Sequence, residues 1–192
     1  MKQRNRLIPD TKIGFYGVGL YDVCEESKRE LESLIAPIRD LVIPKISLNP
    51  VHISCRYLGY YDEVTPTELQ EARKRTRAIL NPLLPLSLET GSLFAGWHKH
   101  PDYKPRLIMM NVEDATLFQL HQKLVEVTDK MQMFTAIEGE NFHPHITLAA
   151  LKPEFENQVP SEIEDYIVGT NEKLRLTFNG AFFWGPQGPE PI

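Results

Sequence analysis

The chain has 192 residues, of which 42% are hydrophobic, and a net charge of −5 with histidine neutral. This length is enough for one sizeable hydrophobic core, and the composition is ordinary for a globular protein. The negative net charge argues against a long basic groove for duplex nucleic acid. A small anionic substrate or the end of an RNA remains compatible with it, because a few local cations suffice for one phosphate.

The two cysteines and the N-terminal segment indicate where the protein works. Cys24 and Cys55 provide neither a disulfide framework nor metal-ligand spacing, which predicts a reducing, cytoplasmic setting. Cys55 is expected to be a small buried hydrophobic residue. Residues 1–9 are polar and basic without the apolar core of a signal peptide, and no long apolar stretch predicts a membrane span. We therefore expect no contact with a membrane.

The first half of the chain predicts the order strand, helix, strand, helix. Residues 12–20 are apolar and aromatic and predict a strand, whereas 25–41 have apolar residues at helical spacing, with Pro37 expected to kink or end the helix. The next strand covers 51–59. The helix after it begins at Thr65-Pro66-Thr67-Glu68, which combines a capping hydroxyl, a proline at the first helical position and a glutamate three residues after the cap.

The second half repeats the order strand, helix, strand. A strand over 106–112 precedes an amphipathic helix over 114–131, on which His121 is expected to be structural or exposed, and a strand over 142–150 follows. The other predictions are a strand over 84–94 interrupted by Gly91, a short helix over 161–168, a strand over 173–178, an edge segment at 182–184, and a disordered tail over 185–192 that is rich in proline and glycine.

Two segments are basic. The outer face of the helix after Thr65 carries a basic run over 73–77, for which a solvated surface is the simple interpretation and contact with an RNA backbone the alternative. A loop over 96–105 contains His98 and His100, but without a cysteine or a clustered carboxylate a metal site is not expected there. A basic, aromatic loop can instead bind a phosphate or a base. Its candidate substrate contacts are Trp97 and Tyr103.

Two strands carry the same unit, a histidine followed two residues later by a hydroxyl residue: His52-Ile53-Ser54 and His145-Ile146-Thr147. In an extended strand the imidazole and the hydroxyl project from one face, and the isoleucine between them projects from the other. With six histidines and 18 serines and threonines, about 0.6 such units arise by chance, so their number alone is no evidence. Both units, however, lie in strand-like runs and present these polar groups on the less apolar face.

The order strand, helix, histidine strand therefore occurs twice. It predicts an α+β fold with two pseudo-symmetric antiparallel sheets backed by helices, in which the two histidine strands face one cleft. We expect residues 1–184 to form a single bilobal domain, residues 185–192 to form a flexible tail, and the protein to be a monomer.

Paired imidazoles are suited to phosphoryl chemistry. Imidazole titrates near pH 6.5, so at neutral pH one of two facing histidines can accept a proton while the other donates one. One histidine would remove a proton from the attacking water or hydroxyl and the other would protonate the leaving oxygen, each contributing about 10² to 10⁴ in rate. The hydroxyls of Ser54 and Thr147 can donate hydrogen bonds to the non-bridging phosphate oxygens. Neither a metal nor a cofactor is needed.

Two further side chains fall on the same strand faces by parity. Arg56, four residues after His52, is expected to neutralise the phosphate, with a surface ion pair as the alternative. His143, two residues before His145, is a candidate substrate contact at the strand end beside Pro144.

These segments resemble the two-histidine (2H) phosphoesterase superfamily, and within it the LigT-like RNA 2′,3′-cyclic phosphodiesterases, also called the 2′-5′ RNA ligase family. The resemblance rests on residues 52–59 and 144–149, on the 93 residues that separate the two histidines, and on the element order up to about residue 184. The first segment has Ser54-Cys55 where family members often have Thr-Leu, and residues 91–94 match only loosely the Gly-Phe-Pro segment common before the second half.

The resemblance implies a bilobal fold with the site between the lobes, and metal-independent hydrolysis of a cyclic or 2′-5′ phosphodiester. It implies catalytic roles for His52, Ser54, His145 and Thr147. We therefore expect a phosphodiesterase that hydrolyses the 2′,3′-cyclic phosphate of an RNA end or a small nucleotide, with a 2′-phosphate as the product that the family pattern implies. Two alternatives remain open at this point: hydrolysis of 2′-5′-linked or cyclic oligonucleotides, and a non-catalytic module that binds an RNA end or a nucleotide.

Overall fold

The computed structural model describes residues 14–46, 51–62, 64–97, 106–129, 142–155 and 158–192, which form eight strands and four α-helices. The strands are β1 (Phe15–Val23), β2 (Val42–Pro44), β3 (Ile53–Tyr60), β4 (Leu86–Trp97), β5 (Arg106–Val112), β6 (His145–Leu151), β7 (Arg175–Gly185) and β8 (Gly188–Pro191). The helices are α1 (Glu25–Ile35), α2 (Pro66–Leu80), α3 (Ala115–Thr128) and α4 (Ser161–Gly169), with 3₁₀ turns at Ala36–Leu41, Asn81–Leu83 and Pro153–Phe155. The predicted α+β class is confirmed.

The strands form one antiparallel sheet in the order β2-β6-β5-β4-β7-β1-β3, with β8 added to β7. Its two halves repeat each other: β1, α1, β3, α2 and β4 form the first half, and β5, α3, β6, α4 and β7 form the second. The last strand of each half pairs with the first strand of the other half: β4 pairs with β5, and β7 pairs with β1. The predicted pair of pseudo-symmetric sheets is therefore present, joined into one sheet where β4 pairs with β7.

The two histidine strands meet although the sheet order separates them. Four strands lie between β6 and β3, yet β3 and β6 contact each other directly. Strands this far apart in the order can meet only if the sheet twists and curls strongly. The described strands nevertheless form an open sheet, because no ladder joins β3 to β6.

Local sequence explains two of the helix boundaries. The Oγ1 of Thr65 accepts from the backbone N–H of Glu68 at 3.3 Å, and the Glu68 carboxylate accepts from the backbone N–H of Thr65 at 2.9 Å, which is the predicted capping box. Helix α1 ends at Ile35 and continues as a 3₁₀ turn that contains Pro37, because proline lacks the N–H that the next α-helical hydrogen bond requires.

The helices cover one face of the sheet, and the core lies between. Helix α3 packs on β3, α2 on β7, α1 on β6 and β7, and α4 on β4. The isoleucines inside the two histidine units, Ile53 and Ile146, are fully buried in this core, as their alternation with polar residues predicted. Among the described helices, none is long and apolar enough to cross a membrane.

The expectation of a disordered tail is wrong for its second part. Residues Gly188–Pro191 form β8 on β7, after a turn in which Gly188 has a φ of 94°, a conformation that glycine adopts readily. Arg73 of α2 holds this strand through an ion pair to Glu190 at 2.7 Å. Residues 182–184 are correspondingly not an edge, because β7 pairs on one side with β1 and on the other with β8. Frequent prolines and glycines predicted disorder, but tertiary contacts order the segment.

Candidate active site

The second histidine unit lies where the sequence predicted. His145 and Thr147 of β6 are half-buried, whereas Ile146 and Leu148 are fully buried, so the polar pair projects from the face away from the core. The Nδ1 of His145 lies 2.9 Å from the carbonyl oxygen of His143. A carbonyl can only accept a hydrogen bond, so Nδ1 carries the proton and Nε2 is left for proton exchange with a substrate.

The first histidine unit has the same alternation. His52 precedes the first residue of β3, and both His52 and Ser54 are half-buried, whereas Ile53 and Cys55 are buried. Ser54 pairs directly with Gly19 of β1, and Gly19 pairs with Phe182 of β7, so these residues share one face of the sheet.

A β-bulge changes the direction of the side chains after Ser54. Ser54 pairs with Gly19 and Arg56 pairs with the adjacent Val18, so Cys55 is an extra residue in β3. A bulge of this kind reverses the alternation of faces. Tyr57, rather than Arg56, consequently shares the face of His52 and Ser54.

The predicted phosphate contact of Arg56 therefore has no support in the fold. Arg56 shares its face with Val18 and Phe183, on the side that packs against the helices, and its side chain is only 6% exposed. Its positive charge contributes to lowering the pKa of His121 on α3, which places it near that buried ring. The parity argument from His52 assumed an unbroken strand, and the bulge breaks it.

The other predicted contacts are distributed unevenly. His143 is exposed, and its backbone carbonyl, rather than its ring, meets His145. Trp97 ends β4, where its backbone pairs with that of Arg106. Tyr103 and the rest of the basic loop over 98–105 lie outside the described residues.

Each catalytic candidate packs edge-on against a phenylalanine from the other half. The ring of Phe182 in β7 meets His52 with centroids 5.6 Å apart and planes at 85°, and the ring of Phe94 in β4 meets His145 at 6.3 Å and 83°. Ser54 and Phe182 both pair with Gly19 of β1, and Thr147 and Phe94 both pair with Met109 of β5. The crossing of β4 and β7 thus supplies each histidine with an equivalent aromatic support.

A pocket of about 310 Å³ adjoins the first unit. It is lined by Phe15, Gly17, Val18, His52, Ser54, Tyr57, Phe182 and Trp184. Its walls are mostly aromatic, and its polar side chains are those of the first histidine unit and Tyr57. His145 and Thr147 do not line it, so the pocket belongs to the first half of the site.

Sequence reasoning missed most of these walls. It places Phe182 and Trp184 at an edge and treats Gly17 and Gly19 as ordinary strand residues. One signal was available: alternate glycines at 17 and 19 in an aromatic strand mark a face on which other groups approach the backbone closely. A Cβ at position 19 would lie 2.2 Å from the Ile53 carbonyl oxygen and 2.7 Å from the Phe182 ring.

Solved structures share this fold, and one of them is described as a phosphoesterase. Escherichia coli LigT complexed with ATP superposes with a TM-score of 0.53 at 17% identity, over 94% of this chain and 96% of that one. Kluyveromyces marxianus Usb1 superposes with a TM-score of 0.58 at 14% identity, over 94% and 97%. The protein TT0787 of Thermus thermophilus reaches 0.52 at 17% identity, over 93% and 94%. The fold class is LigT-like.

The family model of the 2′-5′ RNA ligase superfamily matches residues 27–187. The chain therefore belongs to this superfamily, which is a superfamily of 2H phosphoesterases, as the two histidine units suggested. No curated protein sequence matches the chain significantly. The family and the fold of the chain are thus defined, but they do not specify the reaction.

Proposed function

We propose that the protein is a metal-independent phosphodiesterase that hydrolyses the 2′,3′-cyclic phosphate of an RNA end or a nucleotide to a 2′-phosphate. The observation that carries the proposal is the matched placement of two histidine and hydroxyl pairs, on β3 and β6, in strands that contact each other. Two imidazoles are what an in-line displacement needs for its two proton transfers.

The proposed reaction breaks one phosphorus–oxygen bond. Water attacks the cyclic phosphorus as one imidazole takes its proton, and the bond to the ribose 3′ oxygen breaks as the other imidazole protonates that oxygen. The 2′ oxygen keeps the phosphate. With Nδ1 held by the His143 carbonyl, the Nε2 of His145 supports one of these transfers, and His52 supports the other.

Stabilisation of the phosphate is assigned to hydroxyl groups. Ser54 and Thr147 each follow their histidine on the same face, where they can donate to the non-bridging oxygens. No lysine or arginine is among the residues that line the described pocket, and Arg56 points to the helices. Hydroxyls and imidazoles are therefore the proposed phosphate ligands from the part of the chain that the structure describes.

The test is product analysis with 2′,3′-cyclic nucleotides in the presence of EDTA. We expect the native protein to form a 2′-phosphate, and the variants His52→Asn and His145→Asn to lose activity by about 10² to 10⁴ each. Asparagine retains hydrogen bonding but cannot exchange the proton, and unfolding curves establish that both variants are folded. A matched control is Val168→Ala, which changes a residue that is 80% exposed on α4.

Three results would overturn the proposal. Retained turnover in either histidine variant would remove the two-imidazole mechanism, and loss of turnover with EDTA would remove metal independence. A folded native protein that binds nucleoside 2′-phosphates would be a binding module if it turned over no 2′,3′-cyclic phosphate, no 2′-5′-linked oligonucleotide and no cyclic oligonucleotide.

A further inference from the structure

The two halves of the site differ in one respect despite their pseudo-symmetry. Where β1 has Gly17 and Gly19 on the face of the first histidine unit, β5 has Leu107 and Met109 at the equivalent positions facing the second. The ring of Phe182 covers Gly19, and Gly17 lines the pocket, whereas Met109 of β5 is 7% exposed and its side chain fills the equivalent space. The pocket described above lies on the His52 side.

Strands β7 and β4, which each pair with the opposite half, also differ in the size of the residue at the equivalent position. Trp184 of β7 pairs with Gly17, and the equivalent position of β4 is Gly96, which pairs with Leu107. A Cβ at Gly96 would lie 1.7 Å from the Cε of Met109, so the methionine occupies the space of a side chain there. One half thus has a hollow with a large ring beside it, whereas Met109 fills the equivalent space in the other half.

The backbone of Trp184 is held on both sides. Trp184 pairs with Gly17 on β1 and with Pro189 on β8. The indole lies at 27° to the imidazole of His52 with centroids 6.3 Å apart, and the residue is still 37% exposed. A rigid, partly exposed aromatic ring loses little entropy when a ligand stacks on it.

The size and chemistry of the pocket limit what it can take. Its volume of about 310 Å³ is at the lower end of ligand pockets, which span roughly 300–1,000 Å³. Its walls are the rings of Phe15, Tyr57, Phe182 and Trp184, with the hydroxyl of Ser54 and the imidazole of His52 at one side. Such a pocket suits one flat, weakly polar ring that is connected to the phosphate.

We infer that this pocket binds the nucleobase of the substrate, with Trp184 as the ring against which the base stacks. The inference rests on the proposed function, because it places the phosphate at His52 and Ser54. Stacking of a base on an aromatic side chain raises affinity about 5- to 150-fold. The nucleoside that carries the scissile phosphate therefore binds on the side of the first histidine unit.

The kinetic test compares two substrates in the full-length protein: adenosine 2′,3′-cyclic phosphate, and the 2′,3′-cyclic phosphate of 1-O-methylribose, which has no base. We expect Trp184→Leu to lower kcat/KM for the nucleotide about 10-fold or more, mainly through KM, and to lower it much less for the base-free substrate. Trp184→Phe should recover most of the loss. Equal losses on both substrates, or no loss on the nucleotide, would overturn the inference.

A binding test separates failure of the pocket from failure of the proposed function. The chain has two tryptophans, so Trp97→Phe leaves Trp184 as the only indole. We expect adenosine 2′-phosphate to quench its fluorescence with saturation, and ribose phosphate to have no such effect. Quenching without turnover by the native protein would keep the base pocket and reject the enzyme. Turnover without quenching would keep the enzyme and reject the base pocket.

Discussion

The imidazole of His121 lies flat against the ring of Phe142, with centroids 3.9 Å apart and planes 6° apart. The Nδ1 of the same imidazole donates to the carbonyl oxygen of Cys55 at 2.8 Å. Phe142 immediately precedes the second histidine strand, and Cys55 is the bulge residue after Ser54. His121 on α3 therefore connects both parts of the chain that carry the catalytic candidates.

We expect His121→Phe to destabilise the protein by about 1–3 kcal/mol, because the ring still stacks on Phe142 but the buried carbonyl of Cys55 loses its donor. His121→Gln can still donate a hydrogen bond and is the matched control. The free energy of unfolding in urea is the measurement. An unchanged midpoint and slope for His121→Phe would show that this hydrogen bond contributes nothing.

The stability of the protein should fall in mild acid, in part because of His121. Burial lowers the pKa of His121, and the nearby charge of Arg56 lowers it further, whereas the bond to the Cys55 carbonyl acts in the opposite sense. A histidine whose pKa is lowered in the folded state binds more protons when unfolded, so stability is lost as the pH falls below about 6.5. The free energies of unfolding at pH 7.5 and pH 5.5 should therefore differ less in His121→Gln than in the native protein. An equal difference in both proteins would contradict this.

The edge-on phenylalanines should act on turnover through the orientation of the imidazoles. Edge-to-face pairs are worth about 0.5–1.5 kcal/mol. We expect Phe182→Leu and Phe94→Leu each to lower kcat several-fold with a smaller change in KM, since each supports one histidine. Steady-state kinetics on a cyclic nucleotide is the measurement. Because Phe182 also lines the pocket, only Phe94→Leu tests orientation alone, and an unchanged kcat in that variant would reject it.

Substitution of Arg56 should distinguish the phosphate contact that strand parity predicts from the position on the helix face that the structure shows. Because the side chain lies on the helix face, we expect Arg56→Met to change the thermal midpoint while KM for a cyclic nucleotide changes by less than about threefold. Ser54→Ala, on the other face of the same strand, should lower kcat by about 10²-fold or more. A tenfold rise in KM for Arg56→Met with unchanged stability would restore the phosphate-binding role.

The C-terminal strand should stabilise β7 mainly by its backbone pairing. The side chains of Arg73 and Glu190 are 38% and 42% exposed, so we expect Glu190→Gln to cost less than about 1 kcal/mol. Removal of residues 186–192 should lower the thermal midpoint considerably more, because the outer side of β7 loses the strand that pairs with it. Equal effects of the two changes would mean that the ion pair, not the pairing, holds the strand.

Much of the fold could be predicted from local sequence. Strand β5, the start of α2 at its capping box and the end of α1 before Pro37 follow from periodicity, capping chemistry and the missing N–H of proline. The two-residue period of a strand places His52, Ser54, His145 and Thr147 on the faces away from the core. These features depend on neighbours in the chain, so the sequence alone determined them.

Only the tertiary structure decided where the long-range partners lie. The bulge at Cys55 arises from pairing with β1, and it turns Arg56 to the helices in a way that counting residues in β3 could not reveal. Strand β8 pairs with the adjacent β7 and forms an ion pair with Arg73 of α2, and Arg73 is remote in sequence. The walls of the pocket come from three strands, and Gly17 of β1 leaves room in it beside Trp184 of β7. Contacts between such distant segments are set by packing across the sheet, which no local pattern records.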